Sequence, residues 1–376
     1  MKKVLNKNMD MKVNYKDIYV PSKYSYLFNE CKSIKYFKDI KLNGYNQIIN
    51  HIKRKGICIV TERIEILMEI IDNIYRKKKD LIKIQGTYKN RRDINMAYNN
   101  ILDSLMILCK EDKALINPEI KIPYLYNFVE ESYSNIKDKL YVISLQDFLK
   151  IQESLSNKHY VNAINGYLVV HYNVLIPSSQ QTIDLMKKSF CELKSSMPYD
   201  LKVLDMGCGS GVLSILASMI FRDKNVKVTS TDHLQEAVAT TMLNKEKYES
   251  NMVIDKESIT ILEANDMFNS VYGKFDLIIF NAPWVIAKPK NRLETALNDA
   301  NQSTIKRFIQ ESKKYLNKSG HIIIGYSNHS GLKYIKELED CIYNSGLKVN
   351  KIYKDKIQTR AKNRKWQAIY AYDLIL

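Results

Sequence analysis

Val203-Leu204-Asp205-Met206-Gly207-Cys208-Gly209-Ser210-Gly211-Val212-Leu213 is the stretch on which the reading of this chain turns. An apolar run that reads as a buried strand ends in three glycines, and an apolar helical pattern follows at once. Glycines at such a turn let the backbone approach a ligand without interference from Cβ, while the next helix presents free amides at its start. The spacing is Gly-x-Gly-x-Gly with an acid two residues ahead. A dinucleotide fingerprint would read Gly-x-Gly-x-x-Gly, and a phosphate loop would close on Gly-Lys-Ser/Thr; neither is present. Asp205 would repel a pyrophosphate, so the loop suits a cofactor that carries an amino group and a sulfonium but no phosphate.

Working outward, strand and helix signals alternate to the end of the chain. Strands are expected at 201–206, 226–231, 258–263, 275–280 and 320–326, and helices at 210–221, 234–245, about 302–316 and 331–345. Two last strands, at about 347–357 and 366–375, are joined by the basic loop Arg360–Lys365 and look like an antiparallel hairpin. This βαβ alternation predicts a mostly parallel, doubly wound α/β sheet, with ligands held outside the carboxyl ends of its strands. Upstream, residues 160–177 read as a leading hairpin with a turn near His171–Asn173, followed by a helix from about Gln181 to Leu193.

The glycine loop and its acid resemble those of class I S-adenosylmethionine-dependent methyltransferases. The resemblance covers about residues 160–376. It implies a Rossmann-like sheet of seven strands, the last antiparallel, and a cofactor site made of Asp205, Gly207, Cys208, Gly209, Gly211, Asp232, His233, Asn265, Asp266, Met267 and Asn281. Asp232 would hold the two ribose hydroxyls, a task suited to the two oxygens of a carboxylate. Asp266 would accept from the adenine amino group, with Met267 or Phe268 against the ring. The tetrad Asn281-Ala282-Pro283-Trp284 resembles the Asn-Pro-Pro-Tyr type of the amino-methylating subgroup, which includes release-factor glutamine methyltransferases and several DNA and RNA base methyltransferases.

A planar amide or exocyclic amine has a delocalised nitrogen lone pair, so its N–H groups must be held by acceptors while the methyl arrives in line. By resemblance the acceptors are the Asn281 side chain and the Ala282 carbonyl, with Trp284 packed on the flat substrate. Alanine stands where the subgroup has proline, which removes some rigidity; Pro283 still keeps Ala282 extended. Val174–Thr182 is similar to a segment of the release-factor enzymes at the mouth of the cofactor pocket, without their charged residues.

At 376 residues the chain exceeds the usual single domain, and two are expected: residues 1–155, mainly helical, for substrate docking or as a lid, and residues 156–376, the methyltransferase domain. The helical reading rests on apolar stripes at Ile64, Ile66, Leu67, Ile70, Ile71 and Ile74, and at Ile101, Leu105, Met106, Leu108 and Cys109. A basic cluster runs from Arg76 through Lys77, Lys78, Lys79, Lys83, Lys89, Arg91 and Arg92. The formal charge of +17 suits a polyanionic partner, although abundant lysine, asparagine, isoleucine and tyrosine also fit the codon bias of an AT-rich genome. Six scattered cysteines without a Cys-x-x-Cys pair argue against a zinc ribbon or a disulfide framework, and no metal is expected. No apolar run of transmembrane length or signal-peptide core is present, which gives a cytoplasmic reading.

Three functions follow. The first is an N-methyltransferase acting on a protein amide or a nucleic-acid base. The second methylates a small molecule or a short peptide-like metabolite, on N, O or C. The third is a non-catalytic subunit that keeps the cofactor fold. The oligomeric state is open.

Overall fold

The computed structural model describes residues 18–38, 45–76, 98–129, 136–177, 180–262, 265–358 and 366–376. It divides into two compact units, Met1–Glu153 and Ser154–Leu376.

The first unit is built on a sheet, which corrects the expectation of a mainly helical region. Its strands are β1 (Ile18–Tyr19), β2 (Ser33–Phe37), β3 (Gly56–Val60), β4 (Leu105–Lys110), β5 (Lys113–Ala114), β6 (Ile120–Lys121) and β7 (Leu140–Ser144). The path runs β1-β7-β4-β3-β2, with β2, β3 and β4 parallel and β7 antiparallel to β4. Between the strands lie α1 (Ser25–Glu30), α2 (Tyr45–Lys53) and α3 (Ile64–Arg76), and α4 (Leu145–Ser156) follows β7.

The Ile64–Ile74 stripe does form α3, burying Leu67, Ile70, Ile71 and Ile74. The second stripe divides: Ile101 is helical, whereas Leu105, Met106, Leu108 and Cys109 belong to β4. A strand covered on both faces is apolar at every position, so its period of two disappears, and a short run then reads equally well as a helix. Of the basic cluster, Arg76 is exposed and the other seven residues lie outside the described ones.

The second unit opens with a small hairpin, β8 (Lys158–Val161) and β9 (Gly166–Val169). The turn expected near His171–Asn173 is present, with Val174 N–H donating to the His171 carbonyl at 2.9 Å. The segment after Val169 forms no strand; Val170 and Val174 are buried in the core instead of pairing. The helix α5 (Gln180–Leu193) then leads to the main sheet.

That sheet contains β10 (Asp200–Met206), β11 (Asn225–Thr231), β12 (Ile259–Ile261), β13 (Phe275–Asn281), β14 (Leu316–Ser327), β15 (Lys348–Gln358) and β16 (Trp366–Ile375). The order is β12-β11-β10-β13-β14-β16-β15, and only β16 runs against its neighbours. Connecting helices are α6 (Val212–Ile220), α7 (Gln235–Ser250), α8 (Ser303–Ser312) and α9 (Leu332–Ser345).

Strand periodicity distributes the central side chains between two cores. Val203, Leu277, Ile279 and Ile323 join Met186 and Phe190 of α5 and Leu213 and Leu216 of α6. Leu204, Ile278, Phe280 and Ile324 pack with Phe308 of α8 and Leu338 of α9. Both faces are therefore dry, and the carboxyl edge is where the backbone can meet a ligand. All six cysteines are free. Among the described residues no helix is long and apolar enough to cross a membrane.

Candidate active site

At the carboxyl end of β10 the chain passes through Gly207, Gly209 and Gly211 with φ of 68°, 55° and 79°. Gly211 is doubly constrained, since a Cβ there would also lie 2.9 Å from Cγ2 of Thr241. A Cβ on Gly209 would meet nothing closer than 4.0 Å, so this residue leaves open space in front of the loop. Behind it, α7 holds the loop: Thr241 Oγ1 donates to the Gly209 carbonyl at 3.1 Å, and Asn244 Nδ2 donates to the Ser210 carbonyl at 2.9 Å. The Cys208 thiol is buried against Thr241 with its pKa pushed well up by burial, which makes it a packing group.

Asp232 ties the loop to the next strand end. Its Oδ2 accepts from Gly209 N–H and its Oδ1 from Leu234 N–H, both at 3.0 Å. A carboxylate offers about four lone-pair positions, so these two backbone bonds leave acceptor capacity that His233 and a donor on a ligand can share. His233 Nδ1 lies 3.3 Å from the same carboxylate, a hydrogen bond that raises the imidazole pKa, and its Nε2 is 3.1 Å from Thr295 Oγ1.

Asp205 occupies a different place from the other acids. It is 1% exposed, accepts from Ser214 Oγ beneath the loop, and does not line the cavity in front. Burial pushes its pKa up to about 7, against the lowering effect of Ser214. Its Oδ1 has no hydrogen-bond partner among the described residues.

In front of the loop is a cavity of about 530 Å³, a size that takes a small organic ligand. Gly207, Asp232, His233, Asn265, Asp266 and Met267 line it, together with Phe280. Asn265 is pinned by its Nδ2 donating to Thr231 Oγ1 at 2.7 Å and its N–H donating to the Asp232 carbonyl. Asp266 faces an unforeseen partner: Arg307 Nη1 donates to both of its oxygens, at 2.8 and 2.7 Å.

The opposite wall was not foreseen either. Pro289, Thr295, Asn298, Asp299, Ser303, Thr304 and Arg307 belong to the segment after the tetrad and the start of α8. Asp299 is 2% exposed and caps α8, accepting from Thr304 and Ile305 N–H at 3.0 and 3.1 Å. An acid just ahead of a helix start is a cap signal, and it is the one cue in the sequence that could have located this wall. Asn301 and Gln302 are consecutively left-handed, and buried Gln302 is fixed by its Nε2 donating to Tyr326 Oη and the Tyr334 carbonyl.

The tetrad follows Phe280 directly, and Phe280 pairs with Met206, so Asn281 stands level with the first glycine of the loop. Asn281 Oδ1 is buried and has no hydrogen-bond partner among the described residues. It rests over Gly325, where a Cβ would come within 2.7 Å of it and 2.8 Å of Met186 Cε. Ala282 is 1% exposed and donates its N–H to the Gly325 carbonyl at 3.2 Å. Trp284 is half-buried on the α8/α9 core, and its carbonyl accepts from Ser330 Oγ at 3.2 Å. The fold thus gathers the loop, Asp232, Asn265, Asp266 and Asn281 at one edge and leaves Asp205 behind it.

Comparison with known proteins agrees with this arrangement. The family model of the methyltransferase small domain matches residues 179–351. The ribosomal protein L11 methyltransferase of Thermosipho africanus is 29% identical over 55% of this chain and 75% of its own length. The ribosomal protein uL3 glutamine methyltransferase of Francisella tularensis is 29% identical over 41% of this chain, which spans only half of that protein. A Methanocaldococcus jannaschii protein, provisionally named a protein N5-glutamine methyltransferase, is 30% identical over 44% of this chain and 78% of its own. A relative matched at that identity over most of its length, and a family model that starts at α5 and ends in β15, show that this chain belongs to the methyltransferase small domain family, enzymes that use S-adenosylmethionine.

Proposed function

We propose that this methyltransferase acts on a planar nitrogen, an amide or an exocyclic amine, of a protein or nucleic acid. The observation that carries the reading is Asn281 Oδ1: a buried acceptor without a partner among the described residues, at the strand end beside the glycine loop. Leaving such an atom unpaired costs about 1–3 kcal/mol, which a substrate N–H would recover. The curated relatives named for glutamine or ribosomal-protein methylation support the same class.

The residues present fit the cofactor. An open cradle at Gly209, the remaining acceptor capacity of Asp232 for a ligand hydroxyl, and the apolar Met267 and Phe280 suit a nucleoside without phosphates. When bound, S-adenosylmethionine supplies an electrophilic methyl on a positively charged sulfur. Asn281 and the Ala282 carbonyl hold the N–H groups of the acceptor and orient its nitrogen. Trp284 covers the flat face of the acceptor and excludes water. No strong base is required, because the proton leaves an already alkylated, acidified nitrogen.

Substrate docking by residues 1–155 belongs to the same proposal, as does a cytoplasmic place of action among components of translation. The test is transfer of tritiated methyl from S-adenosylmethionine to the protein and RNA fractions of a strain lacking the gene, followed by digestion and mass spectrometry. Label on an amide or amino nitrogen is expected. Label confined to oxygen or carbon would overturn the reading.

A further inference from the structure

The last hairpin is longer than the sheet it closes. Asn281 is level with Gly325, Gly325 with Ala371, and Ala371 with Tyr353. The ladder between β14 and β16 ends at Ser327 and Ile369, yet β15 and β16 remain paired out to Gln358 and Trp366. Trp366 thus stands five residues past the level of Asn281, roughly 17 Å along the strand direction, on the carboxyl side where the cofactor cavity opens.

Directly opposed residues of an antiparallel pair share a face, so Ile352, Lys354, Lys356 and Gln358 stand with Tyr372, Tyr370, Ala368 and Trp366. This is the side of the sheet on which Trp284 packs. Lys354 and Lys356 are exposed and have no acidic partner among the described residues, and Lys354 Nζ lies 5.3 Å over the Tyr370 ring. Trp366 is 50% exposed. By contrast Lys351, on the other face, is neutralised by Glu192. The segment after the tetrad adds exposed Lys288 and Lys290 at the same edge.

We infer that the strip Lys354, Lys356 and Trp366 is a docking surface for RNA, which carries the methyl acceptor into the site. Unpaired lysines beside an exposed indole match a chain of phosphates with unstacked bases, since ammonium groups take the phosphates and the ring takes a base. A basic protein acceptor would be repelled by the same strip. The inference rests on the acceptor reading above and narrows it to RNA.

The test is fluorescence anisotropy of a fluorescein-labelled, mixed-sequence RNA stem-loop of about 20 nucleotides, titrated with the full chain at several NaCl concentrations. K354E/K356E should weaken binding at least tenfold at 100 mM NaCl and lower the slope of log Kd against log salt by about 1.4, the loss of two single-strand phosphate contacts. W366A should weaken binding about tenfold with the slope unchanged. K348E, at the amino end of β15, should bind within about twofold of the parent and retain its slope. Calorimetric titration with S-adenosylhomocysteine checks that each variant keeps its fold; should the double Glu variant fail to fold, K354Q/K356Q should give the same change of slope. Unchanged RNA binding in the double variant would overturn the inference, as would equal loss in K348E. Loss of a glutamine-containing ribosomal peptide in place of RNA would overturn it too. Because these are binding measurements, they can fail while nitrogen methylation stands, and the reverse.

Discussion

Gly325→Ala tests the acceptor site without replacing any residue proposed to contact substrate. Gly325 lies within β14 with φ outside the left-handed region, so alanine suits its backbone. The new methyl would meet Asn281 Oδ1 at 2.7 Å and Met186 Cε at 2.8 Å. Met186 ends in a flexible thioether that can turn aside. The amide oxygen must withdraw by about 0.7 Å to restore van der Waals contact. Because about 1 Å of misplacement costs about a hundredfold in rate, kcat should fall by about ten- to fiftyfold. Affinity for S-adenosylhomocysteine should stay within about twofold, and Tm within a few degrees, since alanine also removes some of the conformational entropy that glycine adds to the unfolded chain. Single-turnover transfer of tritiated methyl measures the first quantity, calorimetry and thermal unfolding the others. M186A added to G325A relieves only one of the two contacts and should not restore the rate. Turnover within twofold of the parent, or full rescue by M186A, would refute the assignment of Asn281 Oδ1 as the acceptor-holding atom.

Asn281→Ala should remove most turnover while cofactor affinity, followed by calorimetry, is nearly unchanged; equal loss of both would move Asn281 to the cofactor. Asp232→Ala strips the acceptor from Gly209 and Leu234 N–H, so it should lower both cofactor affinity and stability, the latter by about 2–4 kcal/mol in chemical denaturation. Arg307→Ala releases a half-exposed ion pair and should leave Tm almost unaltered, but raise KM for S-adenosylmethionine severalfold by freeing Asp266 to turn. Asp205, with its folded pKa raised to about 7, keeps its proton where the unfolded chain has lost it. The Asp205 contribution to stability should therefore be fully present below about pH 4 and be lost as pH rises toward 7, by at most about 4 kcal/mol, in urea titrations of the parent against Asp205→Asn, in which that contribution is absent.

The second unit was legible because its signals are local. Val203–Leu213 declares strand, turn and helix within eleven residues, and Leu277–Phe280 is an apolar run cut off by a polar turn. The first unit defeated the same reasoning at Leu105–Lys110, where burial on both faces erases the alternation that marks a strand. Within the site, residues at strand ends were legible because sheet topology fixes their place. The wall from Pro289 to Arg307 was not: it has no period, and the pairing of Arg307 with Asp266 spans 41 residues. Nor could sequence reveal that Asp205 turns under the loop toward Ser214, since that depends on which way a strand-end side chain points.

The alanine at the second place of the tetrad has a consequence that a ring would forbid. A prolyl nitrogen has no hydrogen to give, whereas Ala282 extends the ladder between neighbouring strands by one rung onto Gly325. Stiffness that imino geometry would impose from inside the turn is here borrowed from the adjoining strand. The proposed acceptor corner is thereby coupled to β14, and on that proposal fraying at the end of the strand would loosen the hold on the incoming nitrogen.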